Sequence, residues 1–178
     1  MDELFKNNIY RILELFIEFP TKDFSARGIA RHLKRSHATI LKYINDLEKL
    51  GFIKKREETL YPTYFANTQN KKYKFHKRDY LLSKLMDSGI IDYIQKETLP
   101  SSIILFGSGA KATFTEKSDI DIFVEAKESK LNIAKYEKKL NRRINLLFES
   151  NLNDLSKELR NNIINGIVLY GFIRIDKD

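Results

Sequence analysis

Apolar residues recur at helical spacing near the start of the chain. Leu4, Phe5, Ile9, Ile12, Leu13, Phe16 and Ile17 stand three or four apart, and Pro20 stops the run. A second, shorter helix is predicted from Ser25 to Leu33, with Ser25 as N-cap and Ile29, Ala30 and Leu33 turned inward. Lys34-Arg35 make a turn and Ser36 caps a third helix. Its Ile40, Leu41, Ile44, Leu47 and Leu50 form one apolar stripe, which Gly51 closes. The next segment, FIKKREETLYPTYFAN, sets β-branched and aromatic residues on both sides of a charged turn, the pattern of a hairpin. Helical periodicity returns at Tyr80, Leu81, Leu82, Leu85, Met86, Ile90, Ile91 and Ile94, is interrupted at Ser88-Gly89, and ends at Leu99-Pro100.

Beyond Pro100 the pattern changes. Ile103 to Phe106 is an apolar run that predicts a buried strand ending in Gly107-Ser108, Ile122-Phe123-Val124 predicts another, and RRINLLF (142–148) a third. A helix from Leu152 to Asn165 then leads through Gly166 to a last apolar strand. The fold class expected is α+β, with an N-terminal domain over 1–70, a basic linker and connecting helix over 71–100, and a C-terminal α/β domain with a mixed sheet over 101–178.

Composition narrows the function classes. The 178 residues are 42% hydrophobic and 31% charged, enough for a packed core and unlike a disordered tail. With no cysteine there is no disulfide framework, thiolate zinc site or cysteine nucleophile. The opening MDELFKNNIY lacks the basic-then-apolar pattern of a secretory signal, and no apolar run approaches the roughly 18 residues that span a bilayer. A cytoplasmic chain without membrane contact is the expectation. The net charge of +8 is uneven: from Lys22 to Arg56 ten basic residues face Asp23, Asp46 and Glu48, and Phe24 to Asn45 contains no acid. A further basic run, Lys71 to Arg78, interleaves cations with Tyr73 and Phe75, as either a nucleic-acid surface or a solvated linker would.

Helix, short helix, tight turn, longer helix and hairpin follow in the order of a winged helix-turn-helix. The segment SARGIARHLKRSHATILKYINDLEKLGFIKKR resembles the DNA-binding domains of many prokaryotic transcription regulators. That resemblance implies duplex DNA as partner and a third helix that enters the major groove. Ser36, His37, Thr39, Lys42 and Tyr43, left off the apolar stripe, are then the candidates for base edges. Arg27, Arg31, Lys34, Arg35 and the wing's Lys54, Lys55 and Arg56 are candidates for phosphates. A homodimer is expected of such a DNA binder. His32 and His37, five residues apart without a third ligand, are read as surface or turn residues rather than a metal site.

The second chemical signal lies in SSIILFGSGAKATFTEKSDIDIFV, residues 101–124. In a strand Asp119 and Asp121 share one face while Ile120 and Ile122 point to the core. Two carboxylates so placed repel each other unless a cation sits between them, and an oxygen-only pair suits Mg²⁺ or Mn²⁺ bridging to phosphates. Gly107 admits a close backbone approach, and the Ser108 hydroxyl and nearby amides can donate to phosphate oxygens. The pattern G-S-x10-D-x-D resembles the polymerase-β nucleotidyltransferase superfamily, in particular its minimal branch. Four fixed residues at roughly 5–7% each give a chance match at on the order of one position in 10⁵.

The resemblance, from about Ser101 to Phe172, implies transfer of a nucleoside monophosphate from an NTP, ATP foremost, to a hydroxyl. It implies Asp119 and Asp121 as catalytic metal ligands, and Gly107, Ser108 and Lys111 as nucleotide-binding residues. Gly109 and Ala112 depart from the family pattern, which more often has a basic residue and glycine there. The larger departure is the third carboxylate, whose place is taken by Asn145. An amide oxygen can ligate Mg²⁺ but carries no charge and is no general base. Glu149 stands four residues on, about 13 Å along a strand, too far to substitute. Three readings stay open: an active transferase joined to a DNA-binding domain, a catalytically degenerate nucleotide-sensing transcription regulator, and an antitoxin-type nucleotidyltransferase that modifies a protein acceptor, a partner toxin.

Overall fold

The computed structural model describes residues 8–57 and 61–174. The chain divides into two units, Met1–Lys77 and Arg78–Asp178.

In the first unit, α1 (Asn8–Glu18) buries Ile12, Leu13, Phe16 and Ile17. Leu4 and Phe5 of the predicted stripe lie outside the described residues. A two-residue strand, β1 (Phe24–Ser25), leads into α2 (Ala26–Leu33), where Ser25 Oγ accepts from the Gly28 amide at 3.1 Å. Lys34, at φ 53°, ends that helix in the left-handed conformation. Ser36 caps α3 (His37–Lys49) by accepting from the Thr39 amide. Ile40, Ile44 and Leu47 are buried as predicted, but Leu50 is 50% exposed: it is the C-cap residue, where the helical repeat no longer carries its side chain to the stripe. Gly51 follows at φ 75°, and the Phe52 amide returns to the Leu47 carbonyl. The predicted hairpin is β2 (Ile53–Arg56) antiparallel to β3 (Thr63–Ala66). The far edge of β3 pairs with β1, Phe24 opposite Tyr64, a strand too short to show any alternation in the sequence.

The basic run opens α4 (Lys71–Ser88), in which Tyr73 and Lys77 are buried, so a free linker does not describe it. The boundary between the units falls inside this helix. Met86, counted with the apolar set, is 56% exposed. After Gly89, at φ 80°, α5 (Ile90–Thr98) buries Ile90, Ile91 and Ile94.

The second unit is built on a four-stranded mixed sheet. β4 (Ser102–Phe106) pairs antiparallel with β5 (Ile120–Glu125) and with β7 (Ile167–Gly171), while β5 runs parallel to β6 (Ile144–Glu149), giving the order β6-β5-β4-β7. The parallel pair demands a crossover. It contains α7 (Ala134–Leu140), a Lys/Glu-rich helix that buries only Tyr136 and Leu140 and left no apolar signature to read. A one-turn helix, α6 (Gly107–Ala110), follows β4. The helix predicted over Leu152 to Asn165 is two pieces, a 3₁₀ turn (Leu152–Asp154) and α8 (Lys157–Ile164). Leu155 is extended and Ser156 caps a new start at the Leu159 amide, so the helical ladder does not run through. Ile104, Phe106, Phe123, Leu152 and Ile163 form the core of one sheet face. Ile103, Leu105, Ile122 and Val124 are buried on the other.

Candidate functional site

Strand register brings the acidic motif and the glycine turn together. β4 ends at Phe106, which lies opposite Asp121 of β5, and the chain then turns through Gly107 at φ 65°. A Cβ at residue 107 would stand 2.5 Å from Asp121 Oδ2. Glycine is therefore required twice, for the left-handed backbone and for the carboxylate above it. Ser108 is half-buried in the single turn of α6.

Asp121 is half-buried between the buried Ile120 and Ile122. Asp119 stands one residue ahead of β5, exposed, and makes no hydrogen bond or ion pair among the described residues. On β6, Asn145 is the register partner of Asp121, and its Nδ2 donates to Asp121 Oδ1 at 3.3 Å. Glu149 pairs instead with Glu125 at the far end of the strands and accepts from the Ser150 amide. Lys111 Nζ donates to Asn162 Oδ1 of α8 at 2.8 Å. Ala112 adopts φ 54° with its side chain buried, the left-handed conformation that a glycine would hold without strain.

Among the described residues, no group of three or more His, Cys, Asp or Glu is gathered to hold a metal. Two carboxylates still suit a hard cation that takes its other ligands from phosphate and water, which is how Mg²⁺ is usually held. Asp119 and Asp121 are the pair that would hold it.

The sequence of this region resembles a known family. Residues 88–172 match the polymerase beta nucleotidyltransferase family. The match begins ahead of Ser101 and takes in α5 as well as all four strands of the mixed sheet. The matched span carries the glycine turn and both aspartates. Neither the curated proteins nor the solved structures contain a match to the chain. No helix among the described residues is long and apolar enough to cross a membrane.

In the first unit, Arg27, Arg31, Lys34, Arg35, Ser36, His37 and Lys42 are exposed, whereas Thr39 and Tyr43 are half-buried. Ser36 and Thr39 engage each other, Oγ to Oγ1 at 2.7 Å, and Arg35 Nε donates to Asn8 Oδ1. Two of the wing cations are also engaged. Lys55 pairs with Glu57 at 2.5 Å, which raises the lysine pKa and lowers that of the glutamate. Arg56 pairs with Asp23 at 2.6 Å and lies over the Phe65 ring. Arg27, Arg31, His37 and Leu41 come together with Tyr61 and Pro62 around a cavity of about 380 Å³, with the Arg27 guanidinium 5.2 Å from the Tyr61 ring centre. Tyr61 was not singled out from the sequence, although an aromatic beside Pro62 at a hairpin turn is the signal that could have marked it.

Proposed function

We propose that the C-terminal unit binds an NTP, ATP foremost, together with Mg²⁺ or Mn²⁺ and transfers its nucleoside monophosphate to a hydroxyl. We further propose that the N-terminal unit is a winged helix that binds duplex DNA. The observation that carries the first part is the seating of the Asp121 carboxylate directly over the Gly107 backbone, with Asp119 free beside the start of β5. In this reading the bare backbone at Gly107 leaves room for a phosphate, and the Ser108 hydroxyl donates to it. Asp119 and Asp121 hold the cation and so orient the triphosphate. The cation, when bound, supplies positive charge to the α-phosphate and to the departing pyrophosphate.

Calorimetry with ATP and Mg²⁺ tests this directly. Asp121→Asn is expected to weaken Mg²⁺-dependent ATP binding by about tenfold or more, the scale of a lost charge-assisted contact. Unchanged affinity rejects the assignment.

Asn145 favours a second reading, in which the site binds nucleotide and regulates DNA binding without transfer. Its amide offers Asp121 a proton donor where a carboxylate would offer a further metal ligand and a base. Incubation with labelled ATP and protein, RNA or small-molecule acceptors separates the two. Transfer by the unaltered chain supports the first, and transfer that emerges only in Asn145→Asp supports the second.

A further inference from the structure

Asp119 lies outside the sheet ladder that fixes Asp121. Something else must hold it if it is to serve as a ligand. The segment before it, Phe114 to Ser118, is a turn closed on itself. The Ser118 amide donates to the Thr115 carbonyl at 3.2 Å, and the Thr115 amide donates to Ser118 Oγ at 2.9 Å. The outer wall of this turn is Arg142. Its Nη1 donates to the Thr115 carbonyl at 2.5 Å and to the Ser118 carbonyl at 3.2 Å, and its guanidinium carbon stands 4.9 Å from the centre of the buried Phe114 ring. Both carbonyls are thereby tied to one rigid, planar cation, and the second belongs to the residue that precedes Asp119.

Arg142 is itself well placed. Its amide donates to the Glu137 carbonyl at the end of α7, and the Glu137 side chain accepts from the Ile144 amide at 2.9 Å where β6 begins. The neighbouring Arg143 carbonyl accepts from the Ile120 amide at 2.9 Å, so the residue after Asp119 is pinned by the same stretch of chain. Asp119 is thus bracketed, Ser118 by the Arg142 side chain and Ile120 by the Arg143 backbone.

We propose that Arg142 is a positioning residue that fixes Asp119 for binding of the cation and triphosphate. It acts through the backbone of the 114–118 turn and does not itself touch the nucleotide. The proposal rests on the reading of Asp119 as a ligand. Lysine is a partial replacement: its ammonium can donate to both carbonyls, as Arg142 Nη1 alone does, but it lacks the planar guanidinium that lies over the Phe114 ring. Residues that orient a metal ligand from behind typically contribute about 10–100-fold to metal affinity.

The test is a double-mutant cycle read by Mn²⁺–ATP binding to the full chain, followed by calorimetry and by the Mn²⁺ spin-resonance signal. Arg142→Ala is expected to weaken binding by about tenfold, and Arg142→Lys, which keeps the charge and spares the fold, by an intermediate factor. In an Asp119→Asn background, Arg142→Ala is expected to cost nothing further, because the group it positions is gone. Hydrogen exchange is expected to quicken at the Thr115 and Ser118 amides in the arginine variants. Binding by Arg142→Ala equal to wild type, or an equal loss in both backgrounds, overturns the proposal and leaves the nucleotide site standing. Wild-type affinity in Asp119→Asn alone overturns the reading of Asp119 and the proposal with it.

Discussion

A single rung of the sheet gathers the candidate site of the second unit. Phe106, Asp121 and Asn145 lie side by side across β4, β5 and β6, and Gly107 follows immediately. A Gly107→Ala substitution would set a methyl 2.5 Å from Asp121 Oδ2 at a backbone angle that costs an L-residue roughly 1–2 kcal/mol. We expect a modest fall in thermal stability and a loss of about tenfold or more in Mg²⁺-dependent ATP binding, since the carboxylate must move. Full retention of ATP affinity would show that Asp121 need not sit there. The G-S-x10-D-x-D spacing was legible in the sequence because strand alternation and glycine's special backbone are local properties. The hydrogen bond from Asn145 to Asp121 was not, because which residue of one strand lies beside which of another is set by pairing between segments 24 residues apart.

At the scale of elements, the helices that announced themselves had apolar stripes and side-chain caps, as α2 and α3 do with Ser25 and Ser36. The elements that escaped notice were short or polar, β1 and α7. Tyr73 of α4 illustrates a tie between elements that no periodicity reveals. Its hydroxyl donates at 2.8 Å to the Phe16 carbonyl in the last turn of α1, where carbonyls lack helical partners. Tyr73→Phe is expected to cost about 1–2 kcal/mol in chemical denaturation, the penalty of leaving a buried acceptor unpaired. Burial also pushes the Tyr73 phenol well above its ordinary value of 10.0. The folded form therefore keeps its proton where the unfolded form loses it. The stability tied to that proton is complete below the ordinary value and is lost as pH rises above it. The Phe variant is expected to show a shallower loss of stability in that alkaline range. In the sheet, Gly171, at φ 71°, passes so close to the Ser101 carbonyl that any Cβ would overlap it. Gly171→Ala is expected to destabilise the β4–β7 pairing by about 2 kcal/mol or more in the same assay. A neutral effect would mean the edge strand can shift freely.

For the whole molecule, ten basic residues against three acids stand between Lys22 and Arg56 in the first unit, and the fold sorts those cations by availability. Lys55 and Arg56 are held by Glu57 and Asp23, whereas Arg31, Lys34 and Lys42 stand exposed. If this unit binds duplex DNA, gel-shift affinity should fall steeply with salt. Arg31→Ala should reduce the slope of log affinity against log salt by about one, and Lys55→Ala should change it less. Salt-independent binding, or none, would point to a protein-interaction role for the unit. By itself the sequence determined where α2 and α3 begin at their caps, that two unlike segments share the chain, and that a glycine-serine turn is spaced to meet an aspartate pair. These follow from periodicity, capping and backbone conformation, which act within a few residues. Only the tertiary structure decided that Asn145 donates to Asp121, that Lys111 reaches Asn162, that Arg142 closes around the turn before Asp119, and that the basic run at 71–78 buries Tyr73 and Lys77. Those outcomes depend on strand register and on which buried groups must find partners, and both are settled only when distant segments pack.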